Sequence, residues 1–89
     1  MNIKAQVFEK TANCFSIHLD FENERQVFLQ SYGLILAKVI FKDDIKTTFL
    51  EINPIGKINK KHLNKFLNVT QKEFCKNVKE GKYKFTELN

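Results

Sequence analysis

Apolar and polar side chains alternate without a break over residues 14–21, with Phe15, Ile17, Leu19 and Phe21 on one side and Cys14, Ser16, His18 and Asp20 on the other. A period of two gives a β-strand two unlike faces, whereas on a helix it gives no continuous stripe. The same period occurs earlier, where Ile3, Ala5 and Val7 alternate with Asn2, Lys4 and Gln6, and Thr11-Ala12-Asn13 is short enough to close a hairpin. Glu22-Asn23-Glu24 supplies a second turn into residues 26–30, so the first third of the chain reads as a three-stranded meander.

Residues 27–41 are nearly all apolar, and neither period dominates there. Gly33 decides between them, because glycine inside a helix costs about 1 kcal/mol relative to alanine. Ser31-Tyr32-Gly33 then separates strands at 27–30 and 34–42, with a single helix over 25–42 as the competing reading. Lys42-Asp43-Asp44 turns the chain into residues 45–53, whose Ile45, Thr47, Thr48, Phe49 and Ile52 favour a strand. Asn53-Pro54-Ile55-Gly56 ends it, since proline gives a ladder no donor.

Helical signals begin only after this break. Asn59 is the expected N-cap of a first helix, with Ile58 and Leu63 as a hydrophobic staple and Leu63, Phe66 and Leu67 on one apolar face. Thr70 and Glu73 have capping-box spacing for a second helix, Val69 and Phe74 occupy its staple positions, and Gly81 stands where a helix C-terminus favours glycine. A last short strand over 82–88 would place Tyr83 and Phe85 on one side and Lys82 and Lys84 on the other. The expectation is a single domain over 1–89, β-rich over 1–56 and helical over 57–89. It is an α+β fold: an antiparallel meander of four to five strands (2–53) against a C-terminal helical hairpin (about 60–80), with a short final strand. With 89 residues, nine Phe and 43% hydrophobic composition, the chain suits a small packed core rather than disorder.

Charge divides at the same boundary. Residues 1–56 carry a net −1 and residues 57–89 a net +6, out of the chain's +5. The positive field therefore belongs to the helical part, where it attracts an anionic partner. The expected contact set is Lys57, Lys60, Lys61, Lys65, Gln71, Lys72, Lys76, Lys79, Lys82 and Lys84. Arg25 is the single arginine among fifteen cations, which favours contact with phosphate over bidentate reading of guanine. A chain so rich in Lys, Asn, Ile and Phe also matches AT-rich coding, so a merely solvated lysine face is the competing account.

Residues 63–81 resemble a helix-turn-helix, with two short helices, a three-residue turn, and apolar Leu63, Leu67, Val69, Phe74 and Val78. The second helix would then present Gln71, Lys72, Lys76 and Lys79 to a groove. Asn64 and Asn68 stand where that motif usually takes small residues, and strands precede it rather than a third helix, so a hairpin packed on a sheet is the leading alternative. Cys14, Ser16, His18 and Asp20 share one strand face, but neighbours on such a face stand about 6.5–7 Å apart, beyond a direct hydrogen bond. No catalysis is expected. Cys14, His18, His62 and Cys75 lack chelating spacing, and Gly33, Gly56 and Gly81 are isolated, so neither a metal, a phosphate loop nor a cofactor is expected. Two thiols are too few for a disulfide framework.

Charges at Lys4, Glu9 and Lys10 leave no apolar signal segment, and no 18-residue apolar run is present. A cytoplasmic protein without membrane contact is expected. The function expected is non-catalytic binding of nucleic acid or an anionic protein surface, as a regulator of nucleic-acid machinery. The alternatives are a stoichiometric inhibitor or adaptor of the kind that phages and mobile elements encode, anti-CRISPR proteins included, and a degenerate helix-turn-helix regulator. Such a protein inhibitor would expose an apolar patch, expected near Phe8, Phe28 and Tyr32. A homodimer through an unpaired sheet edge is a further expectation.

Overall fold

A computed structural model describes residues 2–7, 14–53 and 56–89. Six strands, β1 (Asn2–Val7), β2 (Cys14–Asp20), β3 (Glu24–Ser31), β4 (Leu34–Lys42), β5 (Ile45–Glu51) and β6 (Lys84–Thr86), form one sheet in the order of the chain. Between β5 and β6 lie helices α1 (Lys57–Leu67) and α2 (Gln71–Lys79). The first five strands pair antiparallel and β6 joins β5 in parallel. A parallel pair cannot be closed by a hairpin, and the helices provide the crossover. The expected α+β fold and its short final strand are present. The hairpin expected at residues 11–13 lies outside the described residues.

Residues 25–42 are two strands, not one helix. Tyr32 and Gly33 both have positive φ, 50° and 82°, the geometry of a two-residue hairpin turn whose twist matches the strands. Asp43 and Asp44 repeat it with φ of 52° and 63°. Between β3 and β4 the register shifts: Leu29 faces Ala37 while Gln30 faces Ile35, leaving Leu36 as an extra residue. This bulge turns Leu36 and Ala37 to the same side, and both are fully buried.

The core gathers Cys14, Leu29, Leu36, Ala37, Leu50 and Leu63, with Phe66, Leu67, Phe74 and Tyr83 packed around it. Helix α1 lies on β3 and β4, and this decides which face of the sheet is covered. The covered face of β2 is the one bearing Cys14, Ser16 and His18, because Cys14 pairs with buried Ser31. The apolar row Phe15, Ile17 and Leu19 faces away from the helices.

The first helix begins earlier than expected. Its N-cap is Gly56, whose carbonyl accepts from the Lys60 N–H at 2.9 Å, so Asn59 falls inside the first turn instead of capping it. Asn68 ends α1 in the left-handed region (φ 57°, ψ 47°), with Val69 N–H bonded to Asn64 and Asn68 N–H to Lys65. Asparagine tolerates that conformation, so the glycine usual in such a turn is unnecessary. In α2 the Thr70 hydroxyl accepts from Glu73 N–H and the Glu73 carboxylate from Thr70 N–H, both at 3.1 Å. The helix closes on Gly81 at φ 72°. Thr70→Ala removes this cap at a cost of about 1 kcal/mol; the expected result is faster amide exchange through the first turn of α2 and a lower Tm.

Candidate functional site

The lysines of the helical part fall into two groups. Lys60, Lys61 and Lys65 of α1 and Lys72, Lys76 and Lys79 of α2 are all exposed, and α2 buries none of its residues. What anchors α2 is one partly buried side: Phe74 stacks on Tyr83 with ring centroids 5.5 Å apart, and Asn77 Nδ2 donates to Tyr83 Oη at 2.9 Å. Its outer side is left to Lys72, Lys76 and Lys79, which with Glu73, Cys75 and Glu80 line an open depression. The two carboxylates of this helix, one at each end, are engaged within the protein. Glu73 serves the cap, and the Thr70 N–H holds its carboxyl below the usual carboxylate range; Glu80 lies 3.9 Å from exposed Lys82.

Two residues of the expected set behave differently. Gln71 is exposed, but its side chain accepts from Asn64 Nδ2 at 2.7 Å and donates to Cys75 Sγ at 3.5 Å. It latches α2 to α1, and Asn64, out of place in a helix-turn-helix, supplies the partner. Lys84 pairs in register with Phe49, whose neighbour Leu50 is buried under the helices. Alternation therefore puts Lys84 on the opposite side of the sheet from the helical lysines. The Lys57 side chain lies outside the described residues.

The row Cys14, Ser16, His18 and Asp20 is not brought together as one site. Cys14 is fully buried, Asp20 is bonded to Arg25 at 3.0 Å, and His18 Nε2 lies 3.3 Å from Ser16 Oγ. This last contact is closer than strand spacing implies, because the long imidazole arm leans along the strand. His62 is 7% exposed; its Nδ1 lies 3.0 Å from Ser31 Oγ, and its ring stacks under Tyr32 at 6.4 Å. Tyr32 thus belongs to the helix side rather than to an outer patch. No group of three or more His, Cys, Asp and Glu among the described residues is placed to hold a metal ion, and none of their helices is long and apolar enough to cross a membrane.

The uncovered face of the sheet carries Phe15, Ile17 and Leu19 of β2, Phe28 of β3, Ile40 of β4 and Phe49 of β5, all partly exposed. Phe28 was among the residues expected in an outer apolar patch; Phe8 lies outside the described residues. No protein-family model matches this chain, and no curated protein or solved structure matches it significantly. The functional reading therefore stands on the geometry of these two surfaces.

Sequence reasoning missed the polar anchor at Glu51. Its carboxylate is buried and accepts from Leu88 N–H, Asn89 Nδ2, Asn53 N–H and Asn53 Nδ2. Asn89 in turn bonds both the N–H and the carbonyl of Ile35. Leu88 and Asn89 lie 37 and 38 positions from Glu51, and Asn89 lies 54 from Ile35, so no local pattern announces these contacts.

Proposed function

We propose that this protein is a non-catalytic binding module, a regulator of nucleic-acid machinery that engages nucleic acid or an anionic protein surface through the outer lysines of α1 and α2. The observation that carries this reading is the state of α2. It presents Lys72, Lys76 and Lys79 to solvent, has no fully buried residue, and has its carboxylates occupied by the cap and by Lys82. Lysines arranged in this way act as point charges on phosphates or carboxylates, and neutralising phosphates releases counterions, so binding weakens steeply with salt.

The test is fluorescence anisotropy of labelled duplex, with a polyanionic protein as competitor. If about four phosphates are neutralised, affinity falls about 100-fold between 50 and 200 mM salt, and Lys72→Glu/Lys76→Glu/Lys79→Glu abolishes binding without changing the circular dichroism. No binding of duplex at about 50 mM salt, or binding untouched by the triple substitution, overturns the nucleic-acid reading. Capture of the acidic competitor alone, lost in the triple variant, assigns the surface to an anionic protein.

A further inference from the structure

Ile17, Phe28, Lys38, Phe49 and Lys84 are successive cross-strand partners, one from each strand of β2 to β6. They form a single row across the uncovered face, because their chain neighbours Leu29, Ala37 and Leu50 are buried on the other side. Phe28 and Phe49 stand two strands apart, about 10 Å, with Lys38 between them. Lys38 Nζ lies 5.5 Å from the centre of the Phe28 ring and Lys84 Nζ 5.8 Å from that of Phe49. Neither lysine is ion-paired with a carboxylate among the described residues. Flanking the row on the same face are Phe15, Gln30 and the buried Glu51, whose oxygens are taken by Asn53, Leu88 and Asn89, on one side, and Gln26, Ile40 and Thr47 on the other, with Gln26 donating to Glu24.

We propose that this face is a stacking platform for single-stranded nucleic acid, with bases lying on Phe28 and Phe49 and phosphates held by Lys38 and Lys84. Unpaired bases offer flat apolar surfaces to aromatic rings, and the backbone that links them supplies the anions; a single strand brings both in one ligand. Gln30 and Thr47 supply hydrogen-bonding groups beside the rings, while the Gln26 amide already donates to Glu24. A purely apolar protein partner would have to bury two unpaired ammonium groups. A second copy docked face to face would crowd the same lysines against their own equivalents, and like charges in apposition oppose association. The platform is on the opposite side of the sheet from the lysines of α1 and α2, so it stands or falls independently of them.

The experiment is anisotropy of labelled oligouridylate of about twelve nucleotides, and of an abasic strand of equal length, at about 50 mM salt. Wild type is compared with Phe28→Leu/Phe49→Leu, which keeps apolar bulk but removes the rings, and with Lys72→Glu/Lys76→Glu/Lys79→Glu. Amide chemical-shift mapping of wild type with the same oligomer supplies a readout that needs no variant to fold. The expected result is at least about tenfold weaker binding by the leucine pair, similarly weak binding of the abasic strand, and shifts centred on β3, β4 and β5. In the helical variant the leucine pair still weakens whatever binding remains. The proposal is overturned by absence of binding at this salt, by equal affinity for the abasic strand, or by shifts confined to α1 and α2. Sedimentation showing a dimer that Lys38→Glu dissociates assigns the face to a second copy and overturns it as well.

Discussion

Leu63→Ala is expected to lower the unfolding free energy by about 3 kcal/mol, within the range for buried leucines, and Tm by more than about 10 °C. Leu63 is 2% exposed and is the helical member of the fully buried cluster formed with Cys14, Leu29, Leu36, Ala37 and Leu50. It stands where α1 meets β3 and β4, so truncation leaves a cavity that the sheet cannot close without moving the helix. A domain of this size has only about 5–10 kcal/mol in total, and the loss is a large fraction of it. Amide exchange should rise first in α1 and α2 and later in the central strands. Lys61→Ala, an exposed neighbour, is the control and should stay within about 0.5 kcal/mol. If Leu63→Ala melts within 2 or 3 degrees of wild type, the docking of α1 does not depend on this contact.

Glu51→Gln is the second large effect, and it acts on the other end of the crossover. Glu51 is 6% exposed, and each carboxylate oxygen accepts twice: one from Leu88 N–H at 2.7 Å and Asn89 Nδ2 at 3.0 Å, the other from Asn53 N–H at 3.1 Å and Asn53 Nδ2 at 2.6 Å. A glutamine amide must turn its NH2 toward one pair of donors whichever way it is flipped, leaving donor against donor. The expected result is a fall in Tm of several degrees, with lost protection at Leu88 and at the Ile52 amide, which donates to the Thr86 carbonyl at 2.9 Å beside β6. Glu73→Gln should be much milder, because glutamine also serves in a capping box.

The same geometry sets a pH dependence. The backbone N–H of Leu88, then that of Asn53, hold the Glu51 carboxyl below its ordinary value of 4.5, and Thr70 does the same for Glu73. A carboxyl whose pKa is lower in the folded state favours folding in full above its ordinary value, and the benefit disappears as pH falls through the lowered one. Tm should therefore be nearly level from neutral pH to about 5 and fall below about 4.5. In Glu51→Gln the acid limb should be shallower; superimposable profiles for wild type and variant would remove Glu51 from this account.

What could be read from the residues alone was local. The alternation at 14–21, the turn at Tyr32-Gly33, the Thr70/Glu73 cap and the glycine at 81 involve groups within a few positions of one another, and each is in place. Even the unfavoured Asn68 fits, because its left-handed backbone is a local preference of asparagine. The Gly56 cap is not legible in the sequence, because it makes no side-chain hydrogen bond and the Asn59 signal nearby is stronger. The lysine surface was legible as a composition, but its division by the sheet was not: Lys84 follows the pleat of β6 away from Lys72, Lys76 and Lys79.

Sequence by itself determined the elements, their turns and the sign of the field on the helices, since a side-chain period and a cap depend on neighbours in the chain. Only the tertiary structure decided which side of the sheet the helices cover, that β6 runs parallel beside β5, and that Glu51 meets Asn89. Periodicity tells which residues share a face, but not which face meets α1. That choice follows from the fit of Leu63 over the bulge at Leu36 and Ala37, a contact between segments some 26 residues apart. It leaves the most regular apolar row of the chain, Phe15, Ile17 and Leu19, on the open side together with Phe28 and Phe49.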